Sequence, residues 1–464
     1  MAAILLSMFM AALEATVVAT AMPTVVGDLG GLELYGWVGS IYMVGSTITI
    51  PIYGKLADLY GRKPTMFLGV ALFLAGSMAS GLATSMTQLI AFRALQGVGA
   101  GGMQPVAMTI VGDLFTVEER GKIQGLFGAV WGVAGMAGPL VGALIVRALS
   151  WRWVFYINLP FGLVTVAMLA AFFHEDVAKK DHSIDFAGAG LLSTAILALL
   201  LGVSGVQPFL TIPVAVLAFA AFIAVERRAK EPLLPLDLLA QPVIGYANLA
   251  GGLLGALMMS TVLYVPLYVQ AVLGGTPAEA GTAVAPMLVG WPIASAVSGR
   301  LLTRVGMRAL VRVGTAISCI AAWVTVLSLQ PFAPLFAVRL SMFALGLGMG
   351  TANTALIIAV QSAVSWKQRG VATASTMFFR TIGGALSVGI LGAVLARALG
   401  PDVPTHLVNE LLGPTHGRGL DATVLAPLTT AMATGLGTVF QAIAGIGTAS
   451  LLAGLAFPTV AIKP

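Results

Sequence analysis

Apolar runs of roughly 20 residues recur along the whole chain, joined by short polar links. At 1.5 Å per residue a helix of that length crosses a hydrocarbon core about 30 Å thick. A backbone in lipid must satisfy its own N–H and C=O groups, so such runs fold as helices. Of the 464 residues, 58% are hydrophobic and only 9% charged, where a soluble domain carries roughly 25% charge. The fold class is therefore an all-α polytopic membrane protein. The runs predict spans near 3–23, 36–54, 66–84, 88–112, 123–147, 153–173, 186–205, 208–225, 244–272, 281–302, 309–328, 332–360, 371–397 and 435–457. Fourteen spans put both termini on one side.

Short inner loops carry the Lys and Arg excess. With both termini in the cytoplasm, seventeen bases fall in inner loops and the C-terminal tail, among them Lys55, Arg62, Lys63, Lys179, Lys180 and Lys463. Four fall outside: Arg147, Arg152, Arg397 and Arg418. Arg93, Arg339 and Arg380 lie in or at the ends of spans. The formal charge of +6 is thus a matter of topology, and no nucleic-acid partner is expected. Cys319 is the single cysteine, so no disulfide and no cysteine metal site is expected. The first apolar run lacks a basic leader and continues into a full span, so no cleavable signal is read. The polar tail usual before a first span is missing, which reads as a trimmed start.

Gly54–Pro64, G-K-L-A-D-L-Y-G-R-K-P, is the tight inner link between the second and third spans. Its spacing of Gly54, Asp58, Gly61, Arg62 and Lys63 resembles the signature loop of the major facilitator superfamily of transporters. A worn copy, Gly299–Arg308, carries Thr303 where the acid would be. Gly97-Val-Gly-Ala-Gly-Gly returns loosely as Gly346-Leu-Gly-Met-Gly, and Arg120-Gly121 as Arg369-Gly370, both 249 residues on. Two six-helix halves joined as a parallel repeat fit that pattern. The surplus length is two further spans between Phe186 and Val225. This plan resembles the fourteen-helix drug:proton antiporter branch. It implies an N-terminal bundle at 1–174, a two-helix insert with cytoplasmic linkers at 175–242 and a C-terminal bundle at 243–464.

Glu14 sits halfway along the first span, the one acid deep in the predicted membrane. A charge there costs a few kcal/mol or more and marks a cavity or a partner. It is a candidate proton carrier and a counter-ion for a cationic substrate; a structural acid paired permanently with a base is the alternative. Arg93 comes out within a few ångströms of the same depth, as coupling partner or plain ion pair. The stretch Arg93-Ala-Leu-Gln96-Gly97 resembles the family's Arg-x-x-Gln-Gly motif, which implies a role for Arg93 and Gln96 in proton coupling. In the family the loop acid caps a helix of the other half, and the loop Arg pairs with an acid after the fourth helix. That resemblance makes Gly54, Asp58, Gly61, Arg62 and Asp113 a conformational latch; merely setting topology is the alternative. Gly135, Gly138, Pro139 and Gly142 give the fifth span a bare, bendable face that resembles the antiporter motif of exporters, with Ala143 in place of the final Gly.

Gln270, Asn353 and Arg380 are candidates to line a cavity, or glue between helices. Trp151-Arg-Trp-Val-Phe-Tyr reads as an interfacial aromatic belt, Met258 and Met259 as core, 174–182 as a charged linker. The polar stretch 400–422, with His406, Glu410, His416, Arg418 and Asp421, reads as an outer loop or short surface helix. No G-x-x-x-x-G-K-[ST] loop occurs, so the energy source is an ion gradient. The expectation is a monomeric, cofactor-free, metal-free exporter in the cell (inner) membrane, not an enzyme. It exchanges protons for amphipathic, often cationic small molecules. The same fold exporting a lipid or a cell-envelope metabolite is the alternative.

Overall fold

The computed structural model describes residues 1–30, 34–175, 185–203, 205–329, 334–400 and 422–460. The charges of 176–184, the polar stretch 401–421 and Lys463 lie outside the described residues. Each apolar run forms a helix. The first group is α1 (Ala2–Leu29), α2 (Tyr35–Tyr60), α3 (Arg62–Gly81), α4 (Met86–Leu114), α5 (Val117–Ala148), α6 (Trp153–Tyr156) and α7 (Asn158–Phe172). Then come α8 (Phe186–Val203), α9 (Pro208–Glu226) and the short α10 (Leu236–Leu239). The last group is α11 (Pro242–Ala271), α12 (Pro277–Val305), α13 (Met307–Ser328), α14 (Leu335–Ala363), α15 (Arg369–Leu399) and α16 (Ala422–Ala456).

Among the described residues, eleven helices are long and apolar enough to cross a membrane, or twelve if α5, bent by 41°, is one span. α2 and α4 stand outside that count although they run 26 and 29 residues. They carry the polar load, Lys55 and Asp58 on one and Arg93 and Gln96 on the other. Helix starts are chemically marked. Thr116 and Glu119 form a capping box at α5, and Thr276 and Glu279 another at α12, each satisfying N–H groups that a helix start leaves bare.

The chain divides into two compact units, residues 1–244 with 358–378, and residues 245–357 with 379–461. In the first, α4 packs between α2 and α3. A side chain at Gly97 would run into the Tyr42 carbonyl, one at Gly101 into Ser46, and one at Gly99 into Phe73. In the second, Gly346 lies against Met287, Gly350 against Trp291 and Gly348 against Ser318. The three glycines recur 249 residues on, and their three partners 245 residues on. Gly61 (φ 96°) and Gly306 (φ 80°), also 245 apart, turn the chain between α2 and α3 and between α12 and α13. Only glycine takes that left-handed backbone without strain. The repeat seen in the sequence is thus a repeat of backbone geometry.

The aromatic stretch differs from a surface belt. Trp151 is 2% exposed, and its Nε1 donates to Asp28 at 2.8 Å. Val154 and Phe155 are buried with it against Leu13, Val17 and Leu89, while Trp153 faces out. The stretch is the lid of the first unit's core rather than an interfacial ring.

Candidate functional site

Glu14 is 1% exposed and Arg93 3%. α1 carries one and α4 the other, and the Arg93 Nη1 pairs directly with the Glu14 Oε1. The other carboxylate oxygen accepts from Asn158 Nδ2 at 2.5 Å, at the start of α7. Arg93 also donates to Gln96 Oε1 at 2.6 Å and stacks 4.3 Å from the Tyr42 ring. The pairing of Glu14, Arg93 and Gln96 joins residues 79 apart in sequence, while Asn158 escaped the sequence reading because it sits inside an aromatic stretch. Its Oδ1, and the Nε2 of Gln96, are buried and make no hydrogen bond among the described residues.

A carboxylate is acceptor-only, and this site presents it with two donors. A neutral carboxyl carries an O–H, which needs an acceptor. Taking up a proton makes the protonated oxygen a poorer acceptor and so weakens its contact to Arg93 or Asn158. Turning the Asn158 amide would bring its unpartnered Oδ1 to the new O–H. The cluster distinguishes the two protonation states of one group by geometry.

A second cluster gathers at the other ends of α2 and α4. Asp58 accepts the backbone N–H groups of Gly370 and Val371, both at 2.8 Å, in the first turn of α15. Burial pushes its carboxyl up to about 7, outweighing those two donors and the Arg62 guanidinium. Arg62 is fully buried. It donates to Asp113 at 2.8 Å and to the Trp366 carbonyl at 2.8 Å, and lies 4.0 Å over the Trp366 ring. Arg369 reaches the other Asp113 oxygen at 2.7 Å, and Glu175 accepts the N–H groups of Arg62 and Lys63. The sequence noted Arg369 as a repeat of Arg120 and Glu175 as a linker charge, and assigned neither to this cluster. Gly54 brings α2 close to α15, since a side chain there would strike Ala374 and the Gly370 carbonyl.

α5 is bent between Gly135 and Leu140, the stretch that holds Gly138 and Pro139. Gly138 and Gly142 lie against the Thr16 and Thr20 hydroxyls of α1, and Thr16 Oγ1 donates to the Ala134 carbonyl at 3.1 Å. In the second unit, Arg380 donates to Asn353 Oδ1 at 3.0 Å. Gln270, in the last turn of α11, is partly buried and bonds to neither among the described residues. Among them no group of three or more His, Cys, Asp or Glu side chains is placed to hold a metal ion.

A multi-pass bundle of apolar helices, with a buried ion pair set between them, defines a membrane transport protein rather than a soluble one. The chain belongs to the Major Facilitator Superfamily, whose family model matches residues 4–388. Among known proteins, the multidrug transporter protein MdtP of Bacillus subtilis (strain 168) is 37% identical over 417 residues, covering 88% of this chain and 77% of that protein. Multidrug resistance protein 3 of the same organism is 36% identical over 403 residues, covering 84% of this chain and 78% of that one. Among solved structures, the human organic anion transporter MFSD10 (TETRAN) aligns with a TM-score of 0.67 at 15% identity, covering 98% of both chains. The proton:xylose symporter XylE aligns with a TM-score of 0.62 at 14% identity, covering 97% of this chain and 93% of the other. At such identities the two structures speak for the fold alone. The family and these neighbours are transporters of small molecules, not enzymes.

Proposed function

We propose that the chain is a proton-coupled exporter, exchanging protons for amphipathic and cationic drug-like molecules. The observation that carries this reading is the Glu14 cluster: one buried carboxylate whose two oxygens each hold a donor on a different helix. Because protonation weakens those charge-assisted contacts, proton uptake and helix movement are linked. On this reading Glu14 takes a proton from the outside as substrate leaves, and gives it up inside as substrate binds. Arg93 and Gln96 hold the charged form. The multidrug names of the two Bacillus subtilis relatives support the substrate class.

The Asp58, Arg62, Asp113 and Arg369 cluster acts as the latch of one state. Contacts at a helix N-terminus are worth about 0.3–2 kcal/mol each, enough to bias a two-state equilibrium without freezing it. The bent, glycine-faced stretch of α5 is the helix that yields. Counting α2 and α4 as spans gives fourteen, in the plan of two six-helix bundles (1–174 and 243–464) and a two-helix insert. The protein works as a monomer in the cell membrane with both termini in the cytoplasm.

Everted vesicles energised to hold a proton gradient test this. Adding a cationic dye should dissipate part of the gradient in wild type, and Glu14→Gln should abolish that loss while still inserting. A protein that moves labelled lipid but no dye would replace the substrate class with a lipid.

A further inference from the structure

The second unit contains a cation, Arg380, with no counter-ion among the described residues. Arg380 lies eleven residues into α15, about 17 Å from its start, and Asn353 ten residues from the end of α14, about 15 Å. Both stand near mid-membrane. Arg380 is partly buried and donates to Asn353 Oδ1, with no ion pair to an acid among the described residues. The sequence explains why. From 245 to 400 it holds a single acid, Glu279, which is spent on the capping box at the start of α12. Asp402, Glu410 and Asp421 lie outside the described residues. A guanidinium stays charged at any pH a protein meets.

The polarity of the pair is defined by its chemistry. Arginine only donates, so Asn353 must turn its carbonyl oxygen to Arg380, and its Nδ2 remains as a donor. The remaining Arg380 N–H groups and that amide make a donor-only fork, the complement of a planar oxyanion. Gly255 of α11 lies against the Arg380 carbonyl and stem, so that crossing holds the base of the side chain in place.

We propose that Arg380 and Asn353 form an oxyanion subsite, so that the molecules carried include amphipaths bearing a carboxylate. This deepens the export reading and rests on it for the word "carried", but the subsite itself is tested by binding alone. Purified full-length protein in uncharged-lipid nanodiscs is titrated with 11-(dansylamino)undecanoic acid and with its methyl ester at pH 8. Wild type should bind the acid at least tenfold more tightly than the ester. Arg380→Gln should bring the two within twofold, and Arg380→Lys should keep part of the preference. Asn353→Asp supplies an internal carboxylate and should cancel the preference with little change in volume, which serves if Arg380→Gln does not fold. Equal binding of acid and ester by wild type overturns the subsite, and so does a preference that survives in Arg380→Gln or Asn353→Asp. Loss of proton coupling in Glu14→Gln bears on the export reading and leaves this result untouched.

Discussion

Glu14→Gln is the substitution whose cost can be worked from the cluster itself. Glutamine keeps the shape but replaces a two-oxygen acceptor with one acceptor and one donor. Arg93 and Asn158 both donate into this space, so the new NH₂ faces a donor whichever way it turns. Arg93 also loses its one charged partner among the described residues. Breaking a buried pair by removing one member costs about 3–5 kcal/mol. Gln96 at 2.6 Å and the Tyr42 ring at 4.3 Å offset some of that, a cation–π contact in a dry site being worth up to about 2 kcal/mol. A net loss of about 2–3 kcal/mol is expected, read as unfolding in mixed detergent micelles. Removing the orphaned charge as well, in Glu14→Gln/Arg93→Gln, should recover part of it, so the two single losses should not add. Transport should behave differently. Dye-driven proton release should be absent in the single and the double variant alike, because neither has a group to load. Strict additivity of the stability losses would show that the pair is not a pair energetically. Dye-driven proton release from Glu14→Gln at the wild-type rate would remove the proton carrier altogether.

Asn158→Leu deletes the second donor to Glu14 and should slow exchange more than it lowers affinity for dye; an unchanged exchange rate would reduce Asn158 to packing. Gly99→Ala pushes a methyl into the Phe73 backbone and should cost about 1–3 kcal/mol as overpacking does, and Gly348→Ala should cost a similar amount at the equivalent place in the second unit. Asp58 titrates higher in this structure than its ordinary 3.8, so its contribution favours this arrangement fully below that value and is lost as pH rises to about 7. Hydrogen exchange in the first turn of α15, corrected for its intrinsic pH dependence, should rise over that window in wild type and stay flat in Asp58→Asn.

How much of this was legible in the sequence varies with the kind of signal. Glu14 and Arg93 stood out because lipid makes a buried charge expensive, and counting residues placed them at similar depth. Gln96 came with them one helical turn away. Asn158 did not stand out, because a neutral amide is cheap enough to sit anywhere and its neighbours Trp151–Tyr156 suggested a surface ring. Arg369 was visible as a repeat of Arg120, yet its bond to Asp113 depends on residues 358–378 grouping with the first unit, which no local pattern reveals. Helix existence was readable from hydrophobic length, whereas the membership of α2 and α4 in the membrane was blurred by the same polar residues that make them interesting.

The two units separate what packing requires from what chemistry requires. The positions where backbones nearly touch, Gly97, Gly99 and Gly101, recur as Gly346, Gly348 and Gly350, and the Gly61 turn recurs as Gly306. The first three recur because a side chain would clash there, and Gly61 because its backbone is left-handed, so both halves need them. Arg120 recurs as Arg369, and Lys55 and Lys63 as Arg300 and Arg308, but the buried polar positions of the two clusters do not. At the same offsets Arg93 becomes Met342, Gln96 becomes Leu345, Asp58 becomes Thr303 and Arg62 becomes Met307. Met342, Leu345 and Met307 are buried apolar side chains, so the second unit keeps the helix crossings without the charged residues of the first unit's clusters. Its own mid-membrane charge, Arg380, falls where the first unit has Trp131. An asymmetric distribution of this kind is what an exchanger requires. If both units carried a loadable carboxylate, a proton could be passed on each tilt without substrate. On the proposed reading, an acid in one unit and, in the other, a base with no ion pair among the described residues give the proton one site and the oxyanion another. Grafting the acid into the second unit as Met259→Glu should therefore not double coupling. It should pair with Arg380 across the α11–α15 crossing, where Met259 meets Gly384, and abolish the acid-over-ester preference in the dansyl titration. Retention of that preference would show that the α11–α15 crossing does not bring position 259 within reach of Arg380.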